Sequence, residues 1–174
     1  LAIDDQIISI NSFSKYFNMT GWRLGWLVVP DTLVPVMERL AQNLFICPST
    51  VSQHAALACF EDESLGVYED RRAAFKARRD NFIPMLNAMG LTVPVMPDGA
   101  FYAWADCREA CRRLGLKDSW TFAEHLMKHA HVAVTPGRDF GTHSPGDYVR
   151  FSTASSLQDL HTAAQRIKQL LAAA

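Results

Sequence analysis

One run constrains this chain above all others. From Ser64 to about Met89 the sequence reads as a single long helix, with Ser64 placed to cap it and Phe75, Phe82, Leu86 and Met89 forming an apolar stripe. Pro84 predicts a bend within it. Arg71, Arg72, Lys76, Arg78 and Arg79 make the helix strongly basic, yet the whole chain carries a net charge of only -1. The basic run is therefore read as a solvated or interdomain face, not as a nucleic-acid patch. The sequence changes character around this helix, and a domain boundary is expected along it or just after it.

Before the helix, Ile7-Ile8-Ser9-Ile10 and Leu24 to Val29 read as buried strands. Asp31 is placed to cap a helix carrying Leu33, Val36, Met37, Leu40 and Leu44, with Pro35 tolerated in its first turn. After Pro48, Ser49 or Thr50 can cap a further helix, Val51 to Phe60. Beyond Gly90, short strands alternate with helices. Leu91–Met96 and Ala100–Ala105 flank the turn Pro97-Asp98-Gly99, and Thr121 with Glu124 fits a capping box opening a helix to about His129. Val132–Thr135 and Tyr148–Ser152 read as strands, and Leu157, Leu160, Ala164, Ile167 and Leu170 as a closing amphipathic helix. The fold class is α/β.

Composition excludes several functions. Apolar residues make up 49% of the chain and charged residues 20%, ordinary for a globular protein, and no apolar run is long enough to cross a bilayer. Neither nucleic acid nor membrane is expected as a partner. Cys47, Cys59, Cys107 and Cys111 have no paired metal spacing and are read as reduced thiols of a cytoplasmic protein. His125 and His129 are four residues apart, but the six histidines form no ligand pattern, so no metal is expected. The opening Leu1-Ala2-Ile3, without an initiating Met, reads as the start of a piece cut from a longer protein.

The chemistry concentrates between Ser12 and Gly25, Ser-Phe-Ser-Lys-Tyr-Phe-Asn-Met-Thr-Gly-Trp-Arg-Leu-Gly. Lys15 follows a strand in a glycine-punctuated loop, a position where an amine can be held and partly desolvated as a nucleophile. Ser12, Ser14 and Arg23 offer the hydroxyl and guanidinium donors that match phosphate oxygens, and Gly21 and Gly25 permit a close turn or tight packing. Tyr16, Phe45, Tyr102 and Phe140 are candidates to line a pocket, but core packing is the default reading of each.

Ser-x-Ser-Lys, five residues, then Gly-x-Arg-x-Gly resembles the signature of the class I/II aminotransferases, pyridoxal-phosphate enzymes of fold type I, across these fourteen positions. Pro97 to Tyr102 resembles the strand entry into that family's small domain, and Pro136 to Gly141 the loop before its last strand. Arg150-Phe-Ser-Thr-Ala154 resembles the segment whose arginine holds the substrate carboxylate. The resemblance implies that Lys15 forms the Schiff base to pyridoxal 5'-phosphate and moves protons, that Ser12 and Arg23 bind the cofactor phosphate, and that Arg150 binds substrate. It assigns Ser14 no firm role.

On this reading residues 1–63 are the end of the large cofactor-binding domain, 64–89 a linking helix, and 90–174 the small C-terminal domain. The expected activity is transfer of an amino group between an α-amino acid and a 2-keto acid by a homodimer. The chain alone, lacking the first half of the family fold, is expected to be nearly inactive. The same motifs also serve C–S β-lyases, and the fold serves as effector module of some transcription regulators.

Overall fold

The computed structural model describes residue 4 and residues 6–173. The opening Leu1-Ala2-Ile3 lies outside the described residues. The chain divides into two compact units, Leu1–Arg72 and Ala73–Ala174, and the division falls within a single long helix.

In the first unit, β1 (Ser9–Ser12) and β2 (Gly25–Val28) form an antiparallel ribbon in which Ser9 faces Val28 and Ser12 faces Gly25. The expectation of buried strands fails here. Ile7 and Ile8 precede β1, and Ile10 is 79% exposed, with Trp26, Leu27 and Val28 of β2 also exposed. A run apolar on both faces suits a strand covered above and below, and a two-stranded ribbon supplies no such layers. A 3-10 turn over Asp31–Leu33 leads into α1 (Val34–Leu44), with Pro35 in its first turn as expected. Asp31 makes no capping bond. The turn is closed by the backbone, Leu33 N–H donating to Pro30 O at 2.9 Å. Helix α2 (Thr50–Leu57) starts after Ser49 and tightens into a 3-10 turn over Ala58–Phe60. The unit's small core comprises Phe13, Met19, Ala56 and Cys59, with the Cys59 thiol 3.1 Å from the Met19 sulfur.

Helix α3 (Asp62–Ala88) begins two residues before the expected cap at Ser64. Asp62 and Glu63 place carboxylates where the helix N-terminus concentrates partial positive charge. The helix continues through Pro84, and its later turns bury Phe82, Ile83 and Leu86. The second unit continues with β3 (Tyr102–Asp106), α4 (Arg108–Leu114), α5 (Ser119–His129), β4 (Thr135–Pro136), β5 (Tyr148–Ser152) and α6 (Leu157–Ala172). The strands form an antiparallel sheet in the order β3-β5-β4, with Arg150 on the central strand opposite both Trp104 and Thr135. Strand alternation sorts the side chains. Ala103, Ala105, Val149 and Phe151 enter the core, while Tyr102, Trp104, Tyr148 and Arg150 share the partly exposed face. Phe82, Leu86, Leu91, Phe122, Leu126, Leu160 and Ile167 fill that core.

Three expectations are corrected in this unit. Leu91–Met96 is no strand: Thr92 alone bridges to Asp106, and Pro94 and Pro97 lack the N–H groups a ladder needs. Val132–Thr135 shortens to the two residues of β4, while Val132 and Val134 pack against the core. The capping box of α5 lies three residues earlier than expected. Asp118 is the cap, its carboxylate accepting from Thr121 N–H at 2.9 Å, while the Thr121 hydroxyl accepts from Asp118 N–H at 3.2 Å. An ionised carboxylate is the stronger acceptor, so it sets the start. Helix α4 has no counterpart among the expected elements; it ends at Leu114, capped by Gly115 in the left-handed conformation (φ 65°).

Asp118→Ala should cost about 1 kcal/mol in urea unfolding at neutral pH. The Thr121 backbone N–H holds the Asp118 carboxyl below its usual range. A depressed folded pKa means the contribution is complete above the unfolded value, about 4, and is lost as pH falls through the folded value. The gap between wild type and variant should shrink on acidification, and an undiminished gap near pH ~2 would count against the cap.

Candidate active site

The segment expected to carry the chemistry is the strand–loop–strand joining β1 to β2. Two buried side chains anchor it: Phe13 (6% exposed) and Met19 (7%) point into the first unit's core, leaving Lys15 exposed between them. Backbone bonds close the loop. Phe13 N–H donates to Leu24 O at 3.1 Å, Met19 N–H to Phe13 O at 3.0 Å, and Asn18 N–H to Lys15 O at 3.0 Å. The Ser52 hydroxyl on α2 donates to Trp22 O at 2.8 Å, tying the loop's far side to a helix. Rings of Phe13, Phe17, Trp26, Phe60 and Tyr68 pack beneath it with centroids 4.9–6.2 Å apart. Tyr16 turns outward and donates to Glu69 at 2.8 Å, a bond that raises the pKa of its phenol.

Gly25 has a steric reason. A Cβ there would lie 2.5 Å from the Asn11 carbonyl oxygen, so the facing strands meet this closely only around a glycine. At Gly21 an added Cβ would meet nothing within 4 Å, so the expected tight packing holds at Gly25 and not at Gly21.

Ser12, Lys15 and Arg23 thus belong to one pinned loop. The exposed Ser12 hydroxyl accepts from Ser14 N–H at 3.1 Å, and the Ser14 carbonyl accepts from the Thr20 hydroxyl at 2.8 Å. Arg23 has a left-handed backbone (φ 53°) and donates through Nη1 to Thr20 O at 2.9 Å. Among the described residues no carboxylate pairs with Arg23, so most of its guanidinium donors remain for a ligand. A hydroxyl and an unneutralised guanidinium flanking an exposed lysine suit a phosphorylated carbonyl compound, and pyridoxal phosphate fits that donor set.

Arg150 belongs to the second unit, on the central strand β5. Its guanidinium carbon lies 4.0 Å from the ring centre of Tyr102 and 4.4 Å from that of Phe140. Among the described residues no hydrogen bond or ion pair occupies its donors. Three other arginines of this unit pair with acids instead: Arg108 forks onto Asp106, and Arg112 and Arg113 share Glu109, whose carboxyl they hold down at about 2, while Arg138 lies over the Trp120 ring. A half-buried arginine caged by rings and left without an acid has the chemistry of an anion receptor.

Core packing as the default for Tyr102 and Phe140 is corrected by these contacts. Tyr102 is half-buried and Phe140 is 45% exposed, both beside Arg150. Strand alternation places Tyr102 on the face of Arg150 once β3 is paired with β5, whereas Phe140 comes from a 3-10 turn (Gly137–Phe140) whose position no strand register fixes.

Comparison with known proteins identifies the family. The family described as aminotransferase class I and II matches residues 1–167. The chain is 38% identical over 160 residues to valine–pyruvate aminotransferase of Mycobacterium tuberculosis, covering 92% of this chain and 40% of that protein. It is 39% identical over 168 residues to aromatic-amino-acid aminotransferase 2 of Thermococcus litoralis, covering 96% and 41%. A crystal structure of an aminotransferase from Mycobacterium tuberculosis superposes with a TM-score of 0.91 at 36% identity, over 99% of this chain and 43% of that one. The chain therefore spans about two fifths of the length of the relatives it matches. The loop around Lys15, the match over nearly all residues and the agreement of the backbones lead to one conclusion: this chain belongs to the class I and II aminotransferase family, with the α/β architecture of fold type I.

Proposed function

We propose that this chain is the part of a pyridoxal-phosphate-dependent aminotransferase that anchors the cofactor and grips the substrate carboxylate. The observation that carries this reading is the pinned loop presenting Ser12, Lys15 and Arg23 together, in a chain of this family. Ser12 and Arg23 hold the phosphate. The Lys15 amine would be the covalent anchor and, once freed by the substrate amine, the base that takes the proton from the amino acid's Cα and delivers it to the cofactor's former aldehyde carbon. Arg150 holds the substrate carboxylate through parallel N–H donors, which restricts the orientation of Cα. When bound, pyridoxal phosphate supplies the electron sink that makes this proton removable.

The domain reading is residues 1–63 as the end of the large domain, 64–89 as the linking helix and 90–174 as the small domain. We read the whole protein as a cytoplasmic homodimer acting on an α-amino acid and a 2-keto acid. The named relatives, which include aspartate aminotransferases, support the substrate class. Unbonded cysteines suit a reducing compartment, and no helix among the described residues is long and apolar enough to cross a membrane. Ile10, Leu44 and Ile46, each at least 75% exposed, support a first unit that is covered by further structure in the working enzyme.

These 174 residues taken alone should therefore turn over little or nothing. The test is product analysis, first on this chain and then on this chain joined to the span its relatives have beyond it. A panel of amino acids is offered with pyruvate or 2-oxoglutarate. Amino transfer by the longer protein alone is the expected result. Measurable turnover by the 174-residue chain would overturn the need for the additional span, and release of homocysteine, pyruvate and ammonia from cystathionine without amino transfer would replace the reading with C–S β-elimination.

A further inference from the structure

We infer that Tyr102 and Phe140 are positioning residues for Arg150, and that the cage they form makes this site selective for planar carboxylates. The inference rests on the reading of Arg150 as the carboxylate-binding residue and goes beyond it by naming what aims the guanidinium. An arginine on a partly exposed strand face ordinarily samples many rotamers or pairs with an acid. Arg150 does neither job through charge: among the described residues no acid neutralises it, and its guanidinium carbon lies 4.0 Å from the Tyr102 ring centre and 4.4 Å from the Phe140 ring centre.

Ring faces attract the cation without occupying its N–H donors. An acid would hold the same group as firmly but would occupy those donors and cancel the charge. The rings are themselves braced. Trp104 meets Phe140 edge-on at 5.4 Å and stacks on Tyr148 at 5.6 Å and 12°, and Tyr102 packs against Phe101 at 4.5 Å. Trp104 is also the direct cross-strand neighbour of Arg150. The series Tyr148, Trp104, Phe140, Arg150, Tyr102 therefore forms one contiguous aromatic frame on a single sheet face, built within the second unit. With rings engaging the guanidinium, its in-plane fork is the part left to a ligand, and that fork matches the two coplanar oxygens of a carboxylate better than the tetrahedral oxygens of a sulfonate.

The test uses the full chain and two small probes, propionate and methanesulfonate. Neither carries an amine or a carbonyl, so neither reacts at Lys15. Binding is followed by NMR at the backbone amide of position 150, a reporter present in every variant. Tyr102→Leu and Phe140→Leu should each weaken propionate about fivefold and bring its affinity closer to that of methanesulfonate, while Tyr102→Phe and Phe140→Tyr should keep wild-type affinity and preference. Arg150→Lys should lose propionate binding. Wild-type affinity and selectivity in both leucine variants, with Arg150→Lys defective, overturns the cage and leaves the Arg150 reading standing. Undiminished propionate binding by Arg150→Lys overturns the Arg150 reading itself. A second measurement needs no variant: the Arg150 Nε–H proton of the wild-type chain should show a ring-current shift and slowed solvent exchange, and a random-coil position would overturn the cage in solution.

Discussion

Lys15→Ala abolishes selective, borohydride-stable attachment of pyridoxal phosphate to this chain. The cofactor carries an aldehyde, and every unhindered amine can condense with it, so the chain's other lysines, Lys76, Lys117, Lys128 and Lys168, are internal competitors. Lys15 differs from them in its neighbours. Ser12 and Arg23 sit on the same closed loop and offer phosphate donors, and that loop is held by buried Phe13 and Met19 and by the bond from Ser52 to Trp22. Holding the phosphate raises the effective concentration of the aldehyde at Lys15 alone. At limiting cofactor, peptide mapping after reduction should therefore find Lys15 labelled at least ~10-fold ahead of any other lysine. In Lys15→Ala that fast fraction vanishes and only slow, scattered labelling remains. Arg23→Ala should keep the amine and lose most of the preference. Labelling of Lys15 no faster than that of Lys168 in the wild-type chain would remove the basis for calling the loop a cofactor anchor.

The largest expected effect on stability comes from the second unit. Phe82→Ala should cost roughly 3–5 kcal/mol, a large share of the stability of an ordinary domain. Phe82 is 1% exposed, belongs to the same buried core as Phe151, Phe122, Leu126 and Ile167, and meets the Phe151 ring at 5.9 Å and 66°. Removing the ring loses its transfer free energy and leaves a cavity that the β3-β5 ladder cannot close by sliding, because one register step would carry every inward side chain outward. Met127→Ala, in the same unit but 55% exposed, should stay within about 1 kcal/mol of wild type. Urea unfolding followed by tryptophan fluorescence in a Trp22→Phe, Trp26→Phe background reports the second unit, where Trp104 and Trp120 lie. A Phe82→Ala loss no greater than that of Met127→Ala would mean that this core does not limit the unit's stability.

Local and tertiary demands agree in some elements of this chain and conflict in others. Strand β5 and helix α6 are readable because local and tertiary demands agree there: alternation over Tyr148–Ser152 and the helical spacing of Leu160, Ala164 and Ile167 each match the face that is buried, though Leu157 of the same expected stripe is exposed. Leu91–Met96 misled because Leu91 and Val93 are buried as a strand residue would be, while Pro94 and Pro97 deny the segment a ladder. At α5 two capping signals compete three residues apart, and only hydrogen-bond geometry shows that Asp118 takes the position. The apolar runs of β1 and β2 correctly signalled strands, but burial depends on what lies over them, which no run of residues encodes about itself.

The sequence by itself determined the family and the candidate anchor, because Ser12, Lys15, Gly21, Arg23 and Gly25 are close along the chain and their spacing carries the signature. Contacts local in sequence can be read from spacing alone. The tertiary structure decided what surrounds Arg150. Tyr102 and Phe140 lie 48 and 10 residues before it, and they reach its guanidinium only because β3 pairs with β5 and a 3-10 turn brings Phe140 to the same face. Strand pairing and loop closure join residues that sequence keeps apart, and they turn an arginine on a strand into a cation held ready for an anion.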